Sequence, residues 1–171
     1  VQVVLKDAMD RETQRLWAER AIRAVSRAFL YIDSQVWQLQ IWEPQMLEKC
    51  QRYLSHVQMC AIFSEEYTLA LPEAAHLFIE AAAHLIVHTR YKQAEFLLLR
   101  ARDIQYALKA SPSDIARTLN DLGGLYLNLG RYQEAEPWLQ EALMLRQQEL
   151  GKEHLDVAQT CYNLASLYRS Q

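Results

Sequence analysis

Apolar residues recur along this chain at helical intervals, and no stretch carries the strict alternation of a convincing strand. From Asp10 to Phe29, Leu16, Ile22, Val25, Ala28 and Phe29 share one helical face, while Arg11, Arg15, Glu19, Arg23 and Arg27 mostly take the other. That pattern predicts an amphipathic helix. Residues 31–35 read as a connection. Pro44 suits the first turn of a helix, where its missing N–H costs nothing, and residues 46–67 form one long helix or two. Leu71-Pro72 marks a new start, with Glu73 favourable beside the first-turn N–H groups. Helices are predicted over 74–89 and 92–110. Ser111-Pro112-Ser113-Asp114 is a loop and helix start, followed by a helix over 115–129 that Gly130 stops. A partner helix spans 133–150 and ends at Gly151, and Asp156 reads as the cap of a last helix over 157–170. The expected fold is all-α, in antiparallel helix pairs with short connections.

The pattern also repeats. Asp114 to Tyr126 (DIARTLNDLGGLY) and Asp156 to Tyr168 (DVAQTCYNLASLY), 42 residues apart, are identical at six of thirteen positions. Arg90 to Glu95 (RYKQAE) and Arg131 to Glu136 (RYQEAE) agree at four of six, offset by 41. Self-similarity at a period of roughly 20–50 residues marks a solenoid, which presents a surface more often than a reaction centre.

With Ala116 as position one, Leu119 is fourth, Leu122 seventh, Gly123 eighth, Tyr126 eleventh, Ala135 twentieth, Leu139 twenty-fourth and Ala142 twenty-seventh. This resembles the tetratricopeptide pattern, W-x2-L-G-x2-Y and then A-x3-F. Gly123 and Ala135 are small where two helices approach, and Leu119, Leu122, Tyr126, Trp138 and Leu139 fill the space around them. The period of 42 exceeds the usual length of about 34. Its extra residues (RQQELGKEHLD) resemble the variant of kinesin light chains, with His154-Leu155-Asp156 in place of their His-Pro-Asp. Phe78, Ala82, Leu85, Ala94, Leu98 and Ala101 give a degenerate copy over 72–113, ahead of the best match at 114–155. Residues 156–171 hold only a first helix, with Ala158, Cys161, Leu164, Ala165 and Tyr168 in place. The resemblance implies a right-handed α-α superhelix, here preceded by an N-terminal helical bundle over 1–71. That first segment (WAERAIRAVSRAF, then WEPQMLEKCQRYLSHVQMC) resembles the region before the repeats in STAND-type bacterial regulatory ATPases. A chain that lacks an initial Met and stops within a repeat reads as a piece of something longer.

Composition narrows the chemistry. Hydrophobic residues make up 51% and charged residues 23%, enough for a sizeable core; four Gly and four Pro argue against an all-β fold. A net charge of −3 with no basic block predicts no nucleic-acid partner. No apolar run is long enough to span a membrane, so no membrane partner is expected. Cys50, Cys60 and Cys161 read as buried thiols of a reducing compartment, and the expected location is cytoplasmic. No phosphate-binding GxxxxGK[ST] occurs. His84 and His88, with His76 two turns earlier, lack a completing ligand and read as structural, as do Cys50, His56 and Cys60. Glu65 and Glu66 read as solvated surface, and Trp17, Trp37, Trp42 and Trp138 as core. No catalytic residue, metal site or cofactor is expected.

The resemblance places positions two, five, nine, twelve and thirteen of each first helix on a concave groove. These are Arg117, Asn120, Gly124, Leu127 and Asn128 in one repeat, and Gln159, Tyr162, Ser166, Arg169 and Ser170 in the next. Asn, Gln and Arg suit a peptide backbone or carboxylate, and Tyr adds flat contact area. His76, Ile79, Ala83, Ile86 and Val87 are more apolar and are expected to lie under the N-terminal helices. The expected function is a non-enzymatic interaction module that binds a protein or peptide, as sensor or scaffold of a larger signalling protein. The alternative is a spacer or a homodimer formed through the exposed end of the incomplete repeat.

Overall fold

The computed structural model describes residues 9–39 and 44–171, with side chains for 9–30 and 51–171. Among these residues every element is a helix: α1 (Arg11–Leu39), α2 (Pro44–Glu66), α3 (Pro72–Val87), α4 (Tyr91–Ala107), α5 (Pro112–Asn128), α6 (Tyr132–Leu150) and α7 (Leu155–Ser170). Consecutive helices pack as the pairs α1–α2, α3–α4 and α5–α6, and α7 stacks on α6. No described helix is long and apolar enough to cross a membrane.

The helix starts follow local chemistry. Pro44, Pro72 and Pro112 each open a helix, and the Ser111 hydroxyl accepts from the Asp114 N–H at 3.1 Å. Two expectations are corrected. Residues 31–35 are helical rather than a connection, because that segment has no Gly or Pro to end α1. Asp156 lies in the first turn of α7 rather than at its cap; His154 is the cap, its Nδ1 accepting from the Asp156 N–H at 3.2 Å. Residues 46–67 resolve as the single helix α2.

Four helices end on one hydrogen-bond pattern. After α2, α3, α4 and α5 the chain turns through a left-handed residue: Thr68, Thr89, Lys109 and Gly130, with φ of 51, 57, 51 and 69°. The next N–H then reaches back five residues: Leu69 to Ser64 O, Arg90 to Leu85 O, Ala110 to Gln105 O and Arg131 to Tyr126 O. This closure satisfies carbonyls that a helix end would leave free. Only Gly130 takes the conformation without strain; each of the other three costs roughly 1–2 kcal/mol.

The larger of two core clusters runs from α1 to α7, and a smaller one joins Ile115, Ala116 and Leu119 of α5 to Ala142 of α6. Ala18, Ile22 and Phe29 of α1 meet Leu54, Val57 and Ala61 of α2 in the same cluster as Leu77, Phe78, Leu97, Leu122, Leu139 and Leu167. The N-terminal helices are also tied to the repeats by polar contacts. Phe29 meets the His84 ring edge-on at 5.6 Å, the Ser26 hydroxyl donates to the Glu73 carbonyl at 3.2 Å, and Arg100 Nε donates to the Ser64 hydroxyl at 2.8 Å. Leu16 and Trp17, expected in the core, are exposed on α1, with Arg20 stacked on the Trp17 ring at 5.2 Å. Trp138 is partly buried beneath Arg102. The side chains of Trp37, Trp42 and Cys50 lie outside the described residues. Cys60 is buried and its thiol is pushed up to about 12 by burial, which leaves it unreactive; Cys161, expected to be buried, is exposed.

Successive repeats are joined by recurring contacts. Tyr126 donates to Glu95 at 2.7 Å, and Tyr168 donates to Glu136 at 2.9 Å. These are the tyrosine and the last glutamate of the two repeated motifs. Gln105 donates to the Asp114 carbonyl at 3.2 Å, and Arg146 to the Asp156 carbonyl at 2.7 Å. Both anchor the start of the next helix.

Within the α5–α6 pair, a Cβ added at Gly123 would overlap Cγ and Cδ2 of Leu139, whereas one at Gly124 meets nothing within 4 Å. Gly123→Ala therefore overpacks the joint, at about 1–3 kcal/mol, against a helix-propensity gain of up to about 1 kcal/mol. It is expected to lower the melting temperature. Gly124→Ala gains the propensity alone and is expected to raise it by about 2–4 °C. Thermal unfolding followed by circular dichroism checks both; a rise in both variants would contradict the close approach.

Candidate functional site

The inner helices α3, α5 and α7 line a concave groove of about 790 Å³. Arg117, Asn120, Gly124, Leu127, Asn128, Gln159, Tyr162 and Ser166 all border it. Arg169 does not; its neighbour Ser170 does. The first repeat departs from expectation. His76, Ala83 and Val87 are exposed, Val87 at 70%, and Ile79, Ala83 and Ile86 form part of the groove wall. The N-terminal helices cover another face of α3, the one carrying Glu73 and His84. The groove therefore has an apolar end on α3 and a polar end on α5 and α7.

Several of these side chains already have partners. Arg117 donates to Glu80 of α3 at 2.7 Å, and His76 stands 3.8 Å from the same carboxylate. Asn120 is buried and its Oδ1 accepts from Asn163 Nδ2 at 3.0 Å, so it serves the joint between α5 and α7. Tyr162 is 71% exposed and free to meet a ligand face-on.

Several groove residues were not anticipated, among them the polar residues Asp114, Asp121, Arg146, Asp156 and Asn163. Arg146 is buried. Besides the Asp156 carbonyl, its Nη1 donates to the Thr160 hydroxyl at 2.7 Å. Burial pushes its pKa down, while the carboxylates of Asp156 and Asp121 pull it up. Asp121 is pushed up to about 6 by burial, against the pull of Arg117, the Asn120 amide and Arg146; Glu80 adds to the rise. The signal for Asp121 was present in the sequence. Arg117, Asp121, Gly124 and Asn128 follow helical spacing and share one face. Among the described residues no three His, Cys, Asp or Glu side chains come together as a metal site.

The shift at Asp121 makes stability depend on pH. Its ordinary value is 3.8, so folding favours the protonated form, and this stabilisation is lost as pH rises from about 4 through about 6. Asp121→Asn removes the penalty. The variant is expected to gain on the order of 2 kcal/mol over the parent at pH 7.5 and little at pH 4. Melting curves across that range test this; a difference that does not change with pH would contradict it.

Residues 114–171, which hold α5, α6 and α7, match the Tetratricopeptide repeat family. No curated protein sequence matches the chain. The fold is similar to that of BtubC (BKLC) from P. vanneervenii, with a TM-score of 0.60 at 20% identity, over 90% of this chain and 66% of that one. It is also similar to two crystal structures of a Podosopora anserina protein with nearly identical TPR-like repeats, described as a kinesin light chain. Their TM-scores are 0.58 and 0.57 at 19% identity, over 93% of this chain and 85% of each of those. Coverage of 90% or more takes in helices before residue 72 as well as the repeats. The architecture is an all-α solenoid of the tetratricopeptide type.

Proposed function

We propose that this chain is a non-enzymatic interaction module that holds a protein or peptide segment in the groove of α3, α5 and α7. Tetratricopeptide repeats are generally protein-interaction modules. The observation that carries the reading is the groove itself, where exposed polar groups of α5 and α7 stand beside the apolar wall of Ile79, Ala83 and Ile86. Such a wall buries ligand side chains while Asn128 and Gln159 offer donors and acceptors to its backbone. In this reading the module is the sensor or scaffold of a larger signalling protein. The resemblance of its first segment to STAND-type ATPases supports that setting. A ligand then switches the attached domain only if it binds one of that domain's states more tightly.

A specific feature of α7 favours a second reading. Ala116, Leu119, Gly123 and Tyr126 are buried against α6, whereas their counterparts Ala158, Cys161, Ala165 and Tyr168 are exposed. That face suits self-association.

Affinity capture from source-cell lysate tests the first reading. Arg117→Ala/Asn128→Ala/Tyr162→Ala should keep its helicity and lose the proteins that the parent retains; equal retention by both would remove the groove as the site. Sedimentation over a wide concentration range tests the second. A concentration-dependent rise in mass that Ala165→Glu abolishes is expected of self-association, and a constant monomer mass would reject it.

A further inference from the structure

Asp121, a partly buried carboxylate that lines the groove, has no cation in contact with it. The equivalent positions of α3, α5 and α7, at offsets of 41 and 42, are Glu80, Asp121 and Asn163. Glu80 pairs with Arg117, and Asn163 donates to Asn120. Asp121 makes no ion pair among the described residues. The two nearby guanidiniums are engaged elsewhere, Arg117 by Glu80 and Arg146 by the Asp156 carbonyl and the Thr160 hydroxyl. Asp114, Asp121 and Asp156 line the groove against Arg117 and Arg146, and Glu80 neutralises the former arginine. The balance is negative, which favours a cationic ligand over an acidic one.

The space beside Asp121 has a matching shape. Three residues on, Gly124 presents bare backbone, and a Cβ there would meet nothing. Its counterparts in the neighbouring repeats are Ala83 and Ser166, so a trough floored by small residues crosses all three inner helices. Leu127 and Ile86 border it. A long side chain with an apolar stem and a charged tip fits such a slot.

We infer that the groove takes an extended peptide carrying a lysine or arginine, whose stem lies along the trough at Gly124 and whose cation pairs with Asp121. This rests on the groove being the binding site. A partly buried carboxylate whose neighbouring guanidiniums are bound to other groups gains from a ligand cation.

Immobilised protein is offered two synthetic decapeptide pools with uncharged random flanks. One has lysine at the centre; the other is the same pool acetylated on that lysine, which keeps its length and removes its charge. The parent is expected to retain the lysine pool about tenfold better, as one close charge pair provides. In Asp121→Asn, checked for unchanged helicity, that ratio should fall towards one. Equal retention by the parent, or a preference that survives in Asp121→Asn, overturns the inference. If the parent retains both pools equally and Arg117→Ala/Asn128→Ala/Tyr162→Ala loses both, the groove reading stands and only the lysine is rejected. If the parent retains neither pool, the inference is overturned, and the groove reading is decided by the lysate capture.

Discussion

The close approach of the two helices in each pair is the constraint on which the rest depends. Ala82, Gly123 and Ala165 occupy one repeat position, and the first two are buried where the partner helix crosses. At Gly123 the fit leaves no room for a methyl group against Leu139. Interiors packed to this density have few alternative arrangements, so the crossing point also sets the rotation of each inner helix. That rotation carries Arg117, Asp121, Gly124 and Asn128 to the concave side. The groove is thus a by-product of core packing, and its surface can change without disturbing the joint.

The pairs are then held to one another by polar contacts placed in equivalent positions. Tyr126 with Glu95 and Tyr168 with Glu136 are the same contact made twice. At Tyr126 it is reinforced by Arg131, which stacks on the ring at 4.5 Å and reaches Glu95 at 3.2 Å. Burial and the Glu95 carboxylate push the Tyr126 phenol up to about 12, so it remains a donor across the physiological range. The Gln105 and Arg146 anchors show the same position filled with different chemistry. Gln105 leaves its Oε1 buried without a partner, whereas Arg146 brings a charge into the groove region and needs Asp156 and Thr160 around it. Repetition of the backbone therefore does not require repetition of the electrostatics.

Much of this was legible in the sequence, and the parts that were not have identifiable causes. The helices from α3 onward were readable because Pro72, Pro112, Gly130 and Gly151 punctuate a strong periodic pattern. The extension of α1 past residue 30 was not, since the polar run Asp33-Ser34-Gln35, without Gly or Pro, neither demands a helix nor forbids one. Most groove positions followed from the tetratricopeptide resemblance. Asp121 was missed because the family's usual inner-face positions omit it, although helical spacing placed it between Arg117 and Gly124. The exposure of Ala83 and Val87 was missed for a different reason. An apolar face reads as covered, and only the docking of α1 against Glu73 and His84 shows which face of α3 is taken. His154 as a cap was hidden because imidazole is seldom used to cap a helix.

The left-handed corners carry a consequence for how such an array diverges. Thr68, Thr89 and Lys109 adopt nearly the backbone of Gly130 although none of them favours it. The flanking helices impose the turn, and the corner residue accepts it. Curvature is therefore inherited from the helices, and the corners tolerate a range of residues at a cost in stability. Mutations there can adjust stability or resistance to proteases while the inner surface keeps its shape, which leaves an evolving lineage free to alter loops and inner face independently.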